Sequence, residues 1–260
     1  MFYSSWEREI EHYNLTYYEL NFIFLEVLGR SYEDVKLKGL SPLEMEKLKP
    51  FLEQAKSMPV EYIFRKAFFR NLELYVDERV LIPRNETEQL VDIVLNILKK
   101  SSDRSILEVG TGSGAIAISL ALEAGLRVFA SDVSFPALQV ARVNVKNYGL
   151  EDRIFLFVSD GLKGVKKGWD LIVWNFPYVL PEEYPHLPEK VKVEPAIALI
   201  STPRKLLKFM EEALPHLNTG GYIVLELSPQ FIDALKKKYT EAIIEKDLYG
   251  AERFAILRKQ

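Results

Sequence analysis

Hydrophobic and polar positions follow one period before Pro59 and another after it. In "TYYELNFIFLEVLG" and "SPLEMEKLKPFLEQAK", apolar residues recur at every third or fourth position, which is typical of amphipathic helices. The first segment ends on Gly29 and the second opens with Ser41 and Pro42, as helices commonly do. We therefore predict a small helical domain over residues 1–58.

The segment after Pro59 changes to an alternation of apolar and polar residues. Leu72, Leu74 and Val76 alternate with polar partners around the turn-prone pairs "RN" and "DE". This period of two predicts a β-hairpin within "YIFRKAFFRNLELYVDERVLIP". We expect residues 59–84 to be a hairpin linker between two domains.

Predicted strands and helices alternate over residues 85–260, which indicates an α/β domain. The predicted strands are "SILEVG", "RVFASD", "IFLFVSD", "DLIVWN", "YIVLEL", "EAIIEKD" and "RFAILRK". The predicted helices are "ETEQLVDIVLNILKK", "GAIAISLALEAG", "FPALQVARVNVKNYG", "PRKLLKFMEEALPHL" and "PQFIDALKKKY". This order favours a mainly parallel, doubly wound sheet with helices on both faces. Ligands of such sheets bind at the carboxyl ends of the strands.

The composition is that of a folded globular protein, with 260 residues of which 48% are hydrophobic and 27% charged. The longest apolar runs fall short of the ~20 residues that cross a bilayer, and the first residues lack a signal-peptide pattern. We therefore expect a cytoplasmic protein without a membrane segment. There are no cysteines, and His12, His186 and His216 are scattered, so no metal site is predicted.

The net charge of −3 gives no overall field that would draw the protein to nucleic acid. Two lysine clusters, at residues 163–167 and 236–238, lie beside predicted element ends. Such clusters are usually solvated charged faces, and we interpret them so. No stable binding to nucleic acid is expected.

A glycine-rich turn follows the first strand of the α/β domain. In "LEVGTGSGAIA", Gly110, Gly112 and Gly114 open a helix. Glycines there permit a tight turn and a close approach of a ligand, and the free N–H groups of the helix face that ligand. The string also satisfies the dinucleotide-binding pattern, so a nicotinamide or flavin site is an alternative. A purely structural strand-to-helix connection is another.

Acidic residues stand at the ends of the next two strands. Asp132 follows Gly112 by 20 residues, where a carboxylate can accept hydrogen bonds from ribose hydroxyls. Capping of the following helix is the structural alternative for Asp132. Asp160 lies in "SDG", which is also a good turn sequence.

The apolar strand "DLIVWN" stops on Asn175, Phe176, Pro177 and Tyr178. This corner, the glycine spacing and Glu108 before it together resemble the S-adenosylmethionine-dependent methyltransferases. The resemblance implies a Rossmann-like, seven-stranded, mostly parallel sheet, with S-adenosyl-L-methionine as cofactor. The methionine part of the cofactor would lie along the turn at Gly110–Gly114. Its ribose would contact Asp132, and its adenine would lie near Asp160. The matching cofactor-binding residues are Gly110, Thr111, Gly112, Ser113, Gly114, Asp132, Val133, Asp160, Gly161 and Asn175.

The corner resembles the Asn-Pro-Pro-Tyr signature of methyltransferases that act on planar nitrogens, either the amine of adenine or the amide of glutamine. Because the lone pair of such a nitrogen is delocalised, a pair of acceptors must hold both of its hydrogens. Asn175 can offer its side-chain oxygen and Phe176 its backbone carbonyl. Tyr178 would lie against the flat substrate group, and Pro177 would stiffen the turn. These four residues are the candidate catalytic and substrate-binding set.

The whole chain resembles the bacterial protein-(glutamine-N5) methyltransferases of peptide chain release factors, in "PVEYIFRKAFFRNLELYVDERVLIPRNETEQLVD", "VEPAIAL", "GGYIVLEL" and "KDLYGAERFAILR". The resemblance implies that a class 1 release factor is the partner and that the glutamine of its Gly-Gly-Gln loop is methylated. The helical domain would help to grip that factor, and a monomer is expected. The residues matching Arg84, Thr87 and Glu88 would border the cofactor pocket, with a helix N-cap as the alternative for Thr87 and Glu88.

Four departures from the family pattern fall at motif positions. Arg65 stands where glycine is usual, Asn85 replaces a proline, Phe176 replaces the first proline of the signature, and "ALISTPRKLL" replaces a glycine-rich stretch. A glycine in a hairpin often marks a positive φ or a close approach, so we expect the long charged side chain of Arg65 to alter domain packing. Asn85 can cap the following helix. Phe176 keeps the acceptor carbonyl but has a freer φ, so we expect a less rigid corner that is still present.

Other functions stay open at this point. An N6-adenine methyltransferase would methylate oligonucleotides with affinity that falls steeply with salt. A binding module that keeps the cofactor fold as a scaffold would show no turnover.

Overall fold

The computed structural model describes residues 5–98 and 104–260. The last residues of the predicted helix "ETEQLVDIVLNILKK", Lys99 and Lys100, lie outside the described residues. The chain divides into two compact units. The first comprises the described residues of Met1–Lys66 with Pro188–Val193, and the second comprises Ala67–Leu187 and Glu194–Gln260. The predicted domains at 1–58, 59–84 and 85–260 stay a prediction.

The α-helices, in chain order, are α1 Ser5–Glu11, α2 Tyr17–Leu28, α3 Tyr32–Lys38, α4 Pro42–Gln54, α5 Val60–Phe64, α6 Asn85–Leu98, α7 Ala115–Ala124, α8 Phe135–Asn147, α9 Glu189–Lys192, α10 Ala196–Leu199, α11 Pro203–Ala213 and α12 Pro229–Lys236. The strands are β1 Ala67–Phe69, β2 Leu72–Leu74, β3 Ile106–Val109, β4 Val128–Asp132, β5 Ile154–Val158, β6 Trp169–Asn175, β7 Leu217–Glu226, β8 Ile243–Lys246 and β9 Glu252–Arg258.

The first unit is helical, as predicted, and its helix boundaries follow from the sequence. Thr16 and Glu19 form a capping box at the start of α2, and Ser41 and Glu44 form another at the start of α4. Each box satisfies backbone N–H groups that the first helical turn leaves free. The apolar faces of these helices enclose a core whose fully buried members are Ile23, Phe24, Val35, Leu48, Leu52 and Ala55.

The predicted hairpin is shorter than the sequence pattern indicates. Residues Val60–Phe64 form α5, and only β1 and β2 pair, around the turn at Arg70 and Asn71. The helix wins because Val60, Ile63 and Phe64 recur at helical spacing and pack on the core of the first unit. Arg65 ends α5 with φ 54, so the position where glycine is usual does have a left-handed backbone.

The seven-stranded sheet of the second unit has the order β5-β4-β3-β6-β7-β9-β8. The pairs β5–β4, β4–β3, β3–β6 and β6–β7 are parallel, whereas β9 runs antiparallel to both of its neighbours. The predicted mostly parallel α/β sheet is therefore confirmed. Two buried clusters of apolar side chains draw on different sheet residues and helices, as expected for a doubly wound domain.

The parallel strands place polar chain segments side by side. Strands β4, β6 and β7 end on Asp132, Asn175 and Glu226, and the glycine turn follows β3 directly. Because the carboxyl ends of parallel strands lie at one edge of a sheet, these groups come together there. Over residues 5–98 and 104–260, no helix combines the length and apolar character needed to cross a membrane.

Candidate active site

A cavity of about 430 Å³ opens at the carboxyl edge of the sheet, within the second unit. It collects most of the predicted site: its lining includes Gly110, Thr111, Gly112, Ser113, Asp132, Val133, Asp160, Gly161, Asn175, Phe176 and Pro177. Two predicted residues, Gly114 and Tyr178, do not line it. Gly114 caps α7 and packs near Ala141, and the Tyr178 hydroxyl bonds to Glu226. The size is that of a small-molecule site.

Glycine is required at two positions of the turn, for a different physical reason at each. Gly110 has φ 65, and a Cβ added there would lie 2.5 Å from Nε1 of Trp174, closer than side chains approach. Gly112 has φ 55 and nothing within 4 Å of an added Cβ, so its backbone faces open space. The first glycine therefore lets the Trp174 ring lie under the turn, and the second leaves the turn accessible to a ligand.

Asp132 fastens this turn from the neighbouring strand. Its Oδ2 accepts the Gly112 N–H at 2.9 Å and its Oδ1 accepts the Ser134 N–H at 2.9 Å. Burial raises the pKa of Asp132, and these backbone N–H groups oppose that rise. The N-cap of α8 is Ser134, which accepts from Ala137 N–H, so capping does not account for Asp132. Each carboxylate oxygen keeps a lone pair that can accept from a ligand.

Glu108 is a buried acid whose environment is unusual. It is 1% exposed, yet it contributes to the cavity lining. The Thr111 hydroxyl donates to its Oε2 at 2.8 Å, whereas no hydrogen bond of normal geometry reaches its Oε1 from the described part of the chain. Burial raises the pKa of Glu108 to about 8, and the negative charge of Asp132 adds to that effect. A cationic ligand group beside Glu108 would favour its ionised form, and the Asp132 carboxylate nearby would also attract such a group.

Replacing Glu108 with glutamine should stabilise the protein, and more so as the pH rises. Between the ordinary pKa of 4.5 and about 8, the folded carboxyl holds a proton that the unfolded one has lost. Folding therefore binds a proton, and the stability of the wild type falls by up to ~1.4 kcal/mol per pH unit over this window. Glutamine does not titrate, so thermal unfolding at pH 5.0 and 7.5 should show a larger gain in Tm at pH 7.5.

The matched control for this prediction is Glu151→Gln, at an exposed position. Because this side chain is exposed, the change in the free energy of unfolding should stay within ~0.5 kcal/mol. An equal Tm gain for Glu108→Gln at both pH values would contradict the assigned environment of Glu108.

The third-strand acid occupies the outer rim of the cavity. Asp160 is exposed and pairs with Lys163 at 2.5 Å, and Val133 beside it is 44% exposed. Gly161 has φ 60, in agreement with a turn at this position. The rim is therefore open and partly apolar, as a flat ring would require, and the predicted adenine contact of Asp160 stays a prediction.

Asn175 has a defined amide orientation. Its Nδ2 donates to Thr87 Oγ1 at 3.0 Å, and Thr87 Oγ1 donates to Glu226 Oε2 at 2.7 Å. Within residues 5–98 and 104–260, no hydrogen bond reaches Asn175 Oδ1 or the carbonyl oxygen of Phe176. Both oxygens are therefore free to accept from a substrate NH2 group, as the sequence predicts for these two residues.

Glu226 is a buried acid next to the candidate site that sequence reasoning missed. It is fully buried at the end of β7, beside Asn175 in the sheet register, and it accepts from Tyr178 Oη at 3.1 Å. Burial raises the pKa of Glu226. The guanidinium of Arg253 lies 5.6 Å from the Tyr178 ring centre. An acid inside the otherwise apolar strand "YIVLEL" was the available signal.

The Phe176 side chain points away from the cavity opening and into the core. It is 3% exposed, and its ring centroid lies 4.7 Å from Trp174 and 6.0 Å from Phe231. The backbone N–H of Phe176 donates to Glu226 O at 3.3 Å. The expected loss of rigidity is thus offset: proline would fix φ covalently, and here aromatic packing and one hydrogen bond hold the corner.

The other departures also have defined surroundings. Asn85 is the first residue of α6. In the segment that replaces the glycine-rich stretch, Ser201 N–H donates to Val179 O at 2.9 Å, and Val179 N–H donates to Leu199 O at 2.9 Å. These bonds attach the segment to the chain just after Tyr178. The segment therefore supports the corner formed by residues 175–178.

The predicted entry segment is fixed to the cavity wall. Arg84 Nη2 donates to Glu194 Oε1 at 2.5 Å, and Ile82 N–H donates to Glu194 Oε2 at 3.1 Å. Arg84 and Thr87 line the cavity, as the resemblance implies, whereas Glu88 does not. Glu88 Oε1 instead accepts the Arg70 N–H at 2.7 Å, in the hairpin turn.

The described residues contain no cluster of three or more His, Asp or Glu side chains placed to hold a metal ion.

Comparison with known proteins gives a consistent picture. A family model described as "Methyltransferase small domain" matches residues 84–189. The release factor glutamine methyltransferase of Rhodopirellula baltica is 37% identical over 218 residues, covering 77% of this chain and 74% of that protein.

The protein of the same name from Streptococcus pneumoniae is 32% identical over 271 residues, covering 98% of this chain and 96% of that protein. Among solved structures, a methyltransferase from Pyrococcus furiosus superimposes with a TM-score of 0.51 at 20% identity, covering 83% of this chain and 98% of that one. That likeness shows that the fold is shared.

Proposed function

Because this chain belongs to the family of release factor glutamine methyltransferases, we propose that it transfers a methyl group from S-adenosyl-L-methionine to the side-chain amide nitrogen of a release factor glutamine. The observation that carries the proposal is the acceptor pair at the carboxyl edge of the sheet. Neither Asn175 Oδ1 nor the Phe176 carbonyl oxygen accepts a hydrogen bond from the described residues, and both residues line the cavity.

The residues present fit the cofactor. S-adenosyl-L-methionine supplies an electrophilic methyl on a sulfonium centre and carries a second positive charge on its ammonium group. The nearby charge of Asp132 favours a cation in the cavity, and a bound cation would lower the raised pKa of Glu108 so that this carboxyl also becomes charged. The open backbone at Gly112 leaves room for a chain of atoms against the turn. We assign the methionine part to residues 110–114 and the ribose to Asp132.

The acceptor pair supplies the catalytic chemistry of the chain. An amide nitrogen is a weak nucleophile because its lone pair is delocalised into the carbonyl group. Asn175 Oδ1 would accept one N–H of the substrate amide and the Phe176 carbonyl the other, which fixes the nitrogen in place. As the new carbon–nitrogen bond forms, the methyl carbon–sulfur bond would break and its electron pair would return to sulfur, which leaves as a neutral thioether. The nitrogen gains positive charge, and both oxygen dipoles would stabilise it. The proton is then lost to water, so no strong base is needed.

The proposed partner is a class 1 release factor that presents its Gly-Gly-Gln loop, and we infer that the helical first unit contributes to holding it. Because translation ends in the cytoplasm, the proposed reaction takes place there. We propose a monomer that forms no stable complex with nucleic acid, in keeping with the net charge of −3.

The test is incubation with methyl-labelled S-adenosyl-L-methionine and one of three acceptors. These are a release factor, the same factor with its loop glutamine changed to alanine, and a mixed oligonucleotide pool. We expect label on the intact factor only, located on the glutamine by mass spectrometry of the loop peptide. Label on the oligonucleotides would contradict the proposal in favour of the adenine reaction. Cofactor binding without transfer to any acceptor would favour a binding module.

A further inference from the structure

We propose that Thr87 and Glu226 are positioning residues that decide which end of the Asn175 side-chain amide faces the substrate. This inference rests on the proposed function, because only a substrate that offers an NH2 group distinguishes the two ends. The two orientations of an asparagine amide have nearly the same shape, so packing does not choose between them. Polar partners must do so.

The hydrogen-bond chain leaves one consistent orientation. A carboxylate only accepts, so at the 2.7 Å contact the Thr87 hydroxyl donates its single proton to Glu226 Oε2. The Thr87 oxygen can then only accept at its 3.0 Å contact with Asn175. Asn175 must therefore turn its Nδ2 toward Thr87, which leaves its Oδ1 for the substrate.

The alternative orientation would disable the site. With Nδ2 toward the substrate, two NH2 groups would face each other and neither could accept. Asn175 Oδ1 would also face the lone pairs of the Thr87 oxygen. The direction of the hydrogen bonds from Asn175 through Thr87 to Glu226 thus makes Asn175 Oδ1 available as an acceptor for the substrate. Pre-organised dipoles of this kind are worth more in a dry site than in water.

The burial of the hydrogen-bonded residues Thr87 and Glu226 supports a role beyond holding the fold together. Glu226 is fully buried and Thr87 is 4% exposed, so water does not compete for these contacts. Burying a carboxylate is a costly way to link α6 and β7, so holding these two elements together does not by itself account for Glu226. Tyr178 Oη donates to the second oxygen of Glu226, which keeps Oε2 directed at Thr87.

The primary test is a series at position 87, assayed with a release factor and labelled S-adenosyl-L-methionine. Thr87→Val removes the oxygen at nearly constant volume, and Thr87→Ala removes it in a smaller side chain. We expect kcat to fall ~10–100-fold in both. The KM for the cofactor should stay close to wild type, whereas the Tm should fall by a few degrees because the buried Glu226 loses one donor. Thr87→Ser keeps the oxygen and should restore kcat to within about twofold.

Two further variants separate positioning from structure. Glu226→Gln keeps an acceptor oxygen but can also turn its NH2 toward Thr87, so its kcat should lie between those of Thr87→Ser and Thr87→Val. Ser119→Ala removes a buried hydroxyl that donates to Ala115 O, within α7, and should leave kcat unchanged. It controls for the general cost of losing a buried hydroxyl.

Each of the following results would overturn part of the proposal. Wild-type kcat in Thr87→Val and Thr87→Ala would overturn the positioning role. So would parallel losses of kcat and Tm without rescue by Thr87→Ser, because they indicate a structural link alone. Wild-type kcat in Glu226→Gln would remove the carboxylate from the inference. A wild-type protein that binds cofactor but does not methylate the release factor would overturn the proposed function itself, an outcome that the variants do not produce.

Discussion

Replacing Asn175 with alanine should lower the rate of methyl transfer to a release factor by about 10²–10³-fold, the usual cost of removing one pre-organised partner from a reacting group. The alanine variant loses the side-chain acceptor and leaves the Thr87 oxygen without its donor. The substrate amide would then be held by the Phe176 carbonyl alone. Stopped assays with labelled cofactor at saturating release factor measure this change in kcat directly.

The effect should be confined to catalysis. The turn at Gly110–Gly114, Asp132 and Glu108 are unchanged in this variant, so we expect the Kd for S-adenosyl-L-methionine, from calorimetry, to stay within about threefold. Asn218→Ala is the matched control, since Asn218 is an exposed asparagine bonded to Asp170 and Gly168 O. More than a tenth of wild-type kcat in Asn175→Ala would show that the acceptor lies elsewhere.

Phe176→Pro, which would restore the usual signature, should destabilise the protein without raising its activity. The buried ring of Phe176 fills space between Trp174 and Phe231, and proline leaves much of that space empty. Proline also removes the N–H that donates to Glu226 O. Loss of a buried phenylalanine ring costs ~3–5 kcal/mol. At ~2–4 °C per kcal/mol for a chain of this size, Tm should fall by about 10 °C.

Two variants test the cause of that loss. Phe176→Ala also empties the core but keeps the backbone N–H, so most of the fall in Tm should appear there too. Phe135→Ala removes a ring that is 55% exposed, and its effect should be within ~1 kcal/mol. If Phe176→Pro were as stable as wild type and more active, the ring would have no anchoring role and Phe176 would be a defect in the motif.

The extent to which sequence predicts this structure depends on the range of the interactions. Local patterns sufficed for the sheet, because each strand is an apolar run bounded by turn residues, and for the glycine turn. The same reasoning placed Asn175 at a strand end. It was wrong at Val60–Phe64, which forms a helix because Val60, Ile63 and Phe64 pack on the core of the preceding helices. The positive φ of Arg65 was correctly indicated by the missing glycine.

The polar chain from Asn175 to Glu226 was beyond sequence reasoning for a physical reason. Thr87 precedes Glu226 by 139 positions and Asn175 by 88, and nothing local indicates that α6 brings its hydroxyl between them. A helix N-cap was an adequate local explanation for Thr87. Only the three-dimensional arrangement shows that its oxygen instead accepts from one strand end and donates to the other.

The strand order has a consequence for biosynthesis. Strand β7, which ends on Glu226, lies between β6 and β9, and β9 follows β8 in the chain although it lies inside β8 in the sheet. While the nascent chain leaves the ribosome, β7 can pair with β6 at once, but its other edge stays open until Glu252–Arg258 has emerged. In this sheet β8 pairs with β9 alone, so the two strands must dock as one hairpin. Translation that stalls before β9 would leave backbone N–H and C=O groups along one edge of β7 unpaired, and such an edge is a site for strand addition by other chains.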